Sequence, residues 1–108
     1  MVFERPFPTP ADYAVHGTEL GLLIVLRGRL DTDCCSRIAD PLLLEIREAD
    51  PPVIFDLADV SFVASAFLRI CLQTAQLVGS GNLHLRNPDP SIRKVFKIAG
   101  LEGPIRLD

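Results

Sequence analysis

The 108-residue sequence contains no tryptophan, one tyrosine, one methionine and three cysteines. Aromatic residues make up only 6% of the chain, although the hydrophobic fraction reaches 48%. A core in such a chain must be built mostly from aliphatic side chains, and the length is that of one ordinary domain. The hydrophobic fraction also argues against the disordered class, which requires low hydrophobicity and high net charge.

The sequence also lacks a cluster of positive charge. Its 11 lysines and arginines are interleaved with 14 acidic residues, which gives a formal net charge of -3. Because a phosphate backbone requires a basic patch or stripe, this pattern argues against direct nucleic-acid binding. No basic-then-apolar signal peptide opens the chain, and the longest apolar run, 22–26, is far shorter than the ~20 residues that span a bilayer. We therefore expect a cytoplasmic protein without a membrane span.

The three cysteines lack the spacing of a metal site or a disulfide framework. Cys34 and Cys35 are adjacent, whereas zinc sites and redox pairs use a C-x-x-C spacing. Cys71 falls on the predicted apolar face of a helix and is expected to be a core thiol. His16 and His84 lie on separate predicted strands. We therefore expect reduced thiols, no metal and no cofactor.

Motifs of known catalytic machinery are absent as well. The sequence contains no G-x-S-x-G, no Walker loop, no H-E-x-x-H and no G-x-G-x-x-G. No set of nucleophile, base and orienting residue is visible at the sequence level. We therefore expect that the chain is not an enzyme and acts by binding another protein. A small enzyme or metal protein is an alternative hypothesis that metal analysis of the purified protein would test.

The residues that are present predict alternating strands and helices. Proline-punctuated residues 1–11 predict a loose lead-in to a domain at 12–108. An aliphatic run after a Glu-Leu-Gly turn predicts an antiparallel hairpin over 13–18 and 22–30. Capping residue types, apolar periodicity and glycine or proline stops then predict a helix after 31–33, a strand at 53–57, a loop at 58–64, a helix at 65–78, a strand at 83–85, a helix from 87–91 to 99 and a terminal strand at 105–107.

This order of elements predicts an α/β fold. Strands separated by helices of this length imply parallel βαβ units with right-handed crossovers, and the opening hairpin makes the sheet mixed. The helices are expected to pack on the sheet. The second helix is predicted to bury the face that carries Leu68, Cys71, Leu72, Ala75 and Val78.

Pro41 lies inside the first predicted helix, whose apolar positions are Ile38, Leu42 and Ile46. A mid-helix proline loses a hydrogen bond and costs about 3 kcal/mol. Either the helix is kinked at Pro41, or it restarts at Asp40 with the proline in its first turn. The sequence leaves both alternatives open.

Three segments carry a resemblance to a known family. The first is G-R-L-D at 28–31, which follows an aliphatic strand. The second is D-L-A-D-V-S-F-V-A-S-A-F-L at 56–68, and the third is I-R-K-V-F-K-I-A-G-L at 92–101. They resemble, in order, the G-x-L-D strand end, the D-L-x-x-V-x-F-[IM]-D-S-[ST]-G-L signature and the closing helix of the STAS family, the fold of the anti-sigma-factor antagonists. The resemblance covers roughly 12–107 and implies a single STAS-like domain.

The resemblance implies a partner-switching module in signal transduction and transcription regulation. In the family, a serine at the start of the second helix is phosphorylated by an anti-sigma-factor kinase. The unphosphorylated form binds that kinase, the phosphorylated form releases it, and a phosphatase resets the system. By alignment the serine is Ser65, and Asp31 matches a family acid placed near the kinase nucleotide. The residues expected to contact the partner are Asp31, Ser61, Ala64, Ser65, Ala66, Phe67 and Arg69.

The sequence departs from the family signature around Ser65. The family's D-S-[ST]-G-L reads A-S-A-F-L at 64–68, so the acid, the second hydroxyl and the glycine are missing. Phe67 either changes the partner contact, as a block or as an exposed apolar anchor, or belongs to the core. Ser65 and Asp31 have alternative roles as helix N-caps, and Ser61 as a hydrogen-bond donor within its loop. The second hypothesis is therefore a non-switching STAS scaffold or accessory subunit of a signalling or transport assembly.

Overall fold

The computed structural model describes residues 13–108, which form a five-stranded sheet and three helices. The elements are β1 (Ala14–Thr18), β2 (Gly21–Leu30), α1 (Thr32–Arg47), β3 (Val53–Val63), α2 (Ser65–Val78), β4 (Leu83–Arg86), α3 (Pro90–Ile98) and β5 (Ile105–Leu107). The order of strands and helices predicted from the sequence is confirmed. The predicted lead-in at 1–11 and the domain boundary at 12 lie outside the described residues.

The sheet has the strand order β1-β2-β3-β4-β5. β1 and β2 form the predicted antiparallel hairpin, and every other neighbouring pair is parallel. Each parallel connection passes through one helix and moves to the next strand in the same direction. Right-handed crossovers of this kind place all three helices on one face of the sheet. The mixed α/β sheet predicted from the sequence is therefore confirmed.

The core lies between the sheet and its helices. Phe55 of β3, Phe67 of α2 and Phe96 of α3 are all 0% exposed. The centroid of the Phe67 ring lies 5.9 Å from that of Phe55 and 6.4 Å from that of Phe96. Three aromatic rings thus join the sheet to two helices within an otherwise aliphatic core. α1 contributes its predicted apolar positions to the same core: Ile38, Leu42 and Ile46.

α1 continues through Pro41 as one helix, so the restart at Asp40 is excluded. Pro41 lies on the exposed side of the helix. The proline leaves the carbonyl of Arg37 without its helical donor. Because Arg37 is also exposed, water can satisfy that carbonyl, and the helix tolerates the proline there.

β3 is longer than predicted, and the loop predicted at 58–64 is wrong. The strand extends to Val63 because β2 continues to Leu30 and supplies pairing partners over the whole distance. Two register shifts interrupt this pairing, so that the buried positions of β3 no longer alternate. The buried residues in this half of the strand are Leu57, Val60 and Val63.

α2 has the predicted bounds, and its buried face agrees with the predicted one only in part. Cys71 and Ala75 are buried as predicted. Leu72, predicted to be buried, is 38% exposed, and Leu68 is only half-buried. Thr74 also lies on the buried face. Its hydroxyl donates to the carbonyl of Ile70 over 2.8 Å, so this polar group has a hydrogen-bond partner inside the core. The buried residues of α2 are Phe67, Ile70, Cys71, Thr74 and Ala75.

Candidate protein-interaction site

Asp31 and Ser65 lie at the same edge of the sheet because β2 and β3 are parallel neighbours. Leu30, the last residue of β2, pairs with Val63, the last residue of β3. The Ala64 N–H donates to the Leu30 carbonyl over 2.9 Å and holds the two strand ends together. α1 begins after Asp31 and α2 begins after Ala64. The structure therefore brings together the two residues that the resemblance singled out.

Asp31 is the N-cap of α1. Its Oδ1 accepts a hydrogen bond from the Cys34 N–H over 2.9 Å, and its backbone is extended. The capping role considered from the sequence is therefore confirmed. The side chain is half-buried, so part of it is accessible at the surface. Contact between Asp31 and a partner's nucleotide stays a prediction.

Ser65 is the first residue of α2, and its side chain is exposed. The N-cap position belongs to Ala64, which makes no side-chain capping bond. The alternative in which Ser65 caps the helix is therefore wrong. The first N–H groups of a helix have no intrahelical partner, and the helix dipole is positive at this end. A phosphate on this hydroxyl is therefore compatible with the fold.

Phe67 belongs to the core and not to the surface. Its side chain is 0% exposed and packs between Phe55 and Phe96. The prediction of Phe67 as a partner-contacting side chain is therefore corrected, because the residue lies on the face of α2 that packs on the sheet. The aromatic group at the family's glycine position therefore fills the interior of the domain.

A shallow groove runs between α1 and α2 beside Ser65. Its volume is about 140 Å³, and its lining includes Ser36 and Ala39 of α1 and Ala66, Arg69 and Gln73 of α2. Ala66 and Arg69 were predicted as contact residues, whereas the α1 wall was not. The signal for that wall is the helical spacing of two small side chains, Ser36 and Ala39.

A stacked pair that sequence analysis missed lies on the ends of β2 and β3. A register shift at Gly28, whose φ is 79°, brings Arg29 opposite Phe62. The guanidinium carbon of Arg29 lies 4.4 Å from the centroid of the Phe62 ring, which is 38% exposed. The Ser61 hydroxyl donates to the Gly28 carbonyl over 3.4 Å. The hydrogen bond expected of Ser61 is thus present, but it joins two strands instead of closing a loop.

The three cysteines of the described residues 13–108 lie beneath this edge, where they are buried and form no disulfide with one another. Burial raises the pKa of Cys35 to about 11, with smaller contributions from Cys34 and Asp31. Burial and the neighbouring Cys35 also raise the pKa of Cys71. The Cys35 thiol donates to the Leu30 carbonyl over 3.6 Å. The expectation that Cys71 is a core thiol is confirmed.

Within residues 13–108, no group of three or more histidine, cysteine, aspartate or glutamate side chains could hold a metal ion. None of the helices described has the length and apolar character needed to cross a membrane.

Comparison with known proteins decides the classification. The STAS domain matches residues 12–108. This chain belongs to the STAS domain family. The structure of the anti-sigma factor antagonist SpoIIAA in its unphosphorylated form is similar, with a TM-score of 0.74 and 23% identity, over 90% of this chain and 88% of that chain. The Bacillus cell fate determinant SpoIIAA in its phosphorylated form has a TM-score of 0.68 and 24% identity, over 90% of this chain and 91% of that chain. Comparison with the curated proteins gave no match.

The STAS assignment made from three short sequence segments is thus confirmed over nearly the whole chain. The similarity to the two SpoIIAA structures confirms the fold of this STAS domain. Within that fold, Asp31 and Ser65 follow the paired ends of two neighbouring parallel strands.

Proposed function

We propose that this STAS domain is a regulatory protein-binding module of the anti-sigma-factor-antagonist type. Its unmodified form binds a kinase-type anti-sigma factor, and phosphorylation of Ser65 releases it until a phosphatase removes the phosphate. The observation that carries the proposal is the position of Ser65, which is the exposed first residue of α2 beside the strand end that bears Asp31. In this role the protein is a cytoplasmic regulator of transcription that acts by binding and not by catalysis.

The location of Ser65 explains how a phosphate would change binding without changing the fold. A partner that covers this edge would remove the Ser65 side chain from water. A phosphate adds a charge of about −1.5 to −2, and an unpaired charge is costly to bury. The free domain keeps the same phosphate in water, because Ser65 points away from the core. Phosphorylation therefore disfavours the complex far more than the folded domain.

Small side chains flank Ser65 on the surface that a partner would cover. Ala64 and Ala66 flank the serine and are half-buried, so no large side chain hinders a close approach to the start of α2. Asp31 after β2, Ser61 near the end of β3 and Arg69 in the second turn of α2 supply polar groups to this surface. Phe67 is not part of this surface.

The first test is the intact mass of the protein purified from its own cells, with modification sites mapped over 61–66. We expect a fraction that carries one phosphate, located on Ser65. Ser65→Ala protein, which cannot be released, then serves to isolate the partner for binding measurements with purified components.

With the purified partner, Ser65→Asp should weaken binding about tenfold or more, which corresponds to ~1.4 kcal/mol. Ser65→Ala should bind like the wild type. Ser80→Asp is the matched control, because it adds the same charge to an exposed turn at the other end of α2. Equal affinities of Ser65→Asp and Ser80→Asp for the partner would contradict the role of Ser65 in partner release.

A non-switching STAS scaffold is the second candidate function. It is favoured by the residues around Ser65, since Ala64 and Ala66 provide neither the acid nor the second hydroxyl of the family signature. This candidate predicts unmodified protein under all growth and stress conditions. It also predicts a permanent complex whose affinity is insensitive to Ser65→Asp.

A further inference from the structure

Arg69 lies one helical turn after Ser65 on the same side of α2. Both side chains are exposed. Residues four positions apart on a helix are neighbours, with Cβ atoms about 5–6 Å apart. A guanidinium at position 69 is therefore within reach of a group attached to the Ser65 hydroxyl.

The Arg69 guanidinium is an unpaired cation in the part of the chain that the structure describes. No carboxylate among residues 13–108 lies within 4 Å of it. The ion pair that does meet this distance in that range joins His84 to Asp108. The side chain instead lines the groove between α1 and α2 beside Ala66 and Gln73. Since no carboxylate holds it, Arg69 is available to a new anion at Ser65.

We propose that Arg69 is the internal counter-ion of a phosphate on Ser65, a role that rests on the proposed function. The phosphate draws the guanidinium toward the start of α2 and accepts charge-assisted hydrogen bonds from it. Arginine suits this role better than lysine, because its planar fork of donors matches two phosphate oxygens.

This pairing makes phosphorylation change the partner surface in two places. It adds negative charge at Ser65, and it withdraws the cation that lines the groove between α1 and α2. A partner carboxylate that meets Arg69 in the unmodified complex would lose that contact at the same time. Arg69 thus acts as a positioning residue that couples the modification to the groove.

The test uses full-length protein with phosphoserine installed at position 65 by genetic encoding, so that no kinase is needed. Phosphorus NMR then gives the second pKa of the phosphate. Because Arg69 favours the dianion, this pKa should be lower in the wild type than in Arg69→Gln by about 0.2 to 0.7 of a pH unit. Arg69→Lys should fall between the two and restore part of the difference.

Arg47→Gln is the matched control, since it removes the same charge from an exposed position in the last turn of α1, the helix end farthest from Asp31. Its phosphate should titrate as in the wild type. The same pKa in Arg69→Gln and wild type would overturn the proposal. Should Arg69→Gln fail to fold, the Arg69 Nε–H resonance of the phosphorylated wild type decides, because it must shift with the phosphate titration, and an unmoved resonance overturns the pairing.

The two proposals fail separately. Absence of a phosphate on Ser65 in the protein's own cells would contradict the proposed function, while the genetically encoded phosphoserine would still report whether Arg69 pairs with it. Absence of the pKa difference, in contrast, would leave the binding switch intact and remove only Arg69 from its mechanism.

Discussion

Ser65 and Phe67 are two positions apart, and this spacing separates surface from interior. Each helical residue turns the chain by about 100°, so side chains two positions apart point to nearly opposite sides. Ser65 is therefore exposed while Phe67 is fully buried. The change from the family's glycine to Phe67 affects the core, and it leaves the hydroxyl proposed as the switch at the surface. A departure in the motif is thus compatible with a working site.

Phe67→Ala should destabilise the domain by about 3–5 kcal/mol, because it leaves a cavity between Phe55 and Phe96. Urea unfolding followed by circular dichroism measures this loss. Phe62→Ala is the matched control: the same group is removed where it is 38% exposed, so the loss should be clearly smaller. Equal losses for the two variants would contradict the central position of Phe67 in the core.

The buried thiol of Cys35 should make stability depend on pH in the alkaline range. Its pKa is raised from 9.0 to about 11, so the fold favours the neutral thiol. The stabilisation is fully present below the unfolded pKa and is lost as the pH rises through the folded pKa. The free energy of unfolding in reducing buffer should therefore fall between pH 9 and 11.

Cys35→Ala separates this effect from general alkaline unfolding. The variant loses packing at every pH, but its stability should fall less steeply than that of the wild type above pH 9. The remaining slope would include Cys71, whose pKa is also raised. Identical slopes in both proteins would show that Cys35 titrates alike in the folded and unfolded chain.

α2 begins differently from the other two described helices. α1 is capped by the Asp31 side chain, and α3 is capped by Asp89, which accepts a hydrogen bond from the Ser91 N–H over 2.8 Å. Hydrogen bonds from the Ser91 hydroxyl and N–H lower the pKa of Asp89. α2 begins at Ala64 without a side-chain acceptor. The helix that bears Ser65 is thus the one whose first turn has no capping side chain.

A capping side chain at position 64 should therefore stabilise the domain. Ala64 has the extended backbone of an N-cap, so Ser at this position can accept a hydrogen bond from the first turn of α2. We expect Ala64→Ser to raise the free energy of unfolding by about 0.5–2 kcal/mol, as measured by urea denaturation. Ala58→Ser adds the same hydroxyl to an exposed position of β3 and should bring no such gain. Equal effects would contradict the view that α2 lacks a cap.

The sequence was sufficient to predict which elements form, because most strands and helices keep a regular apolar pattern. It was not sufficient for the second half of β3. Register shifts there replace the alternation of buried and exposed residues by one buried residue at every third position, and such a pattern does not predict a strand. The Arg29–Phe62 stack was missed for the same reason, since the two residues meet only through the register shift at Gly28. Ser65 could be identified because the family resemblance depends on the order of residues along the chain and not on how β2 pairs with β3.

On the scale of the whole molecule, the core and the proposed interaction edge are distinct. The aromatic core joins β3, α2 and α3, whereas the edge consists of the ends of β2 and β3 and the starts of α1 and α2. A residue at this edge can therefore change charge while the packing of the core stays the same. Control of binding does not require a second fold.

Ser65→Asp should accordingly leave the domain folded. A charge at an exposed helix start is expected to change the free energy of unfolding by less than about 1 kcal/mol, and an acid near the N-terminus favours the helix dipole. In proton–nitrogen NMR spectra, the shifted resonances should be confined to the starts of α1 and α2 and the groove between them. Shifts that extend through β4, α3 and β5, or a loss of stability several times larger, would mean that charge at Ser65 acts on the fold itself. The binding switch would then work by remodelling the domain, and an altered surface would no longer explain partner release.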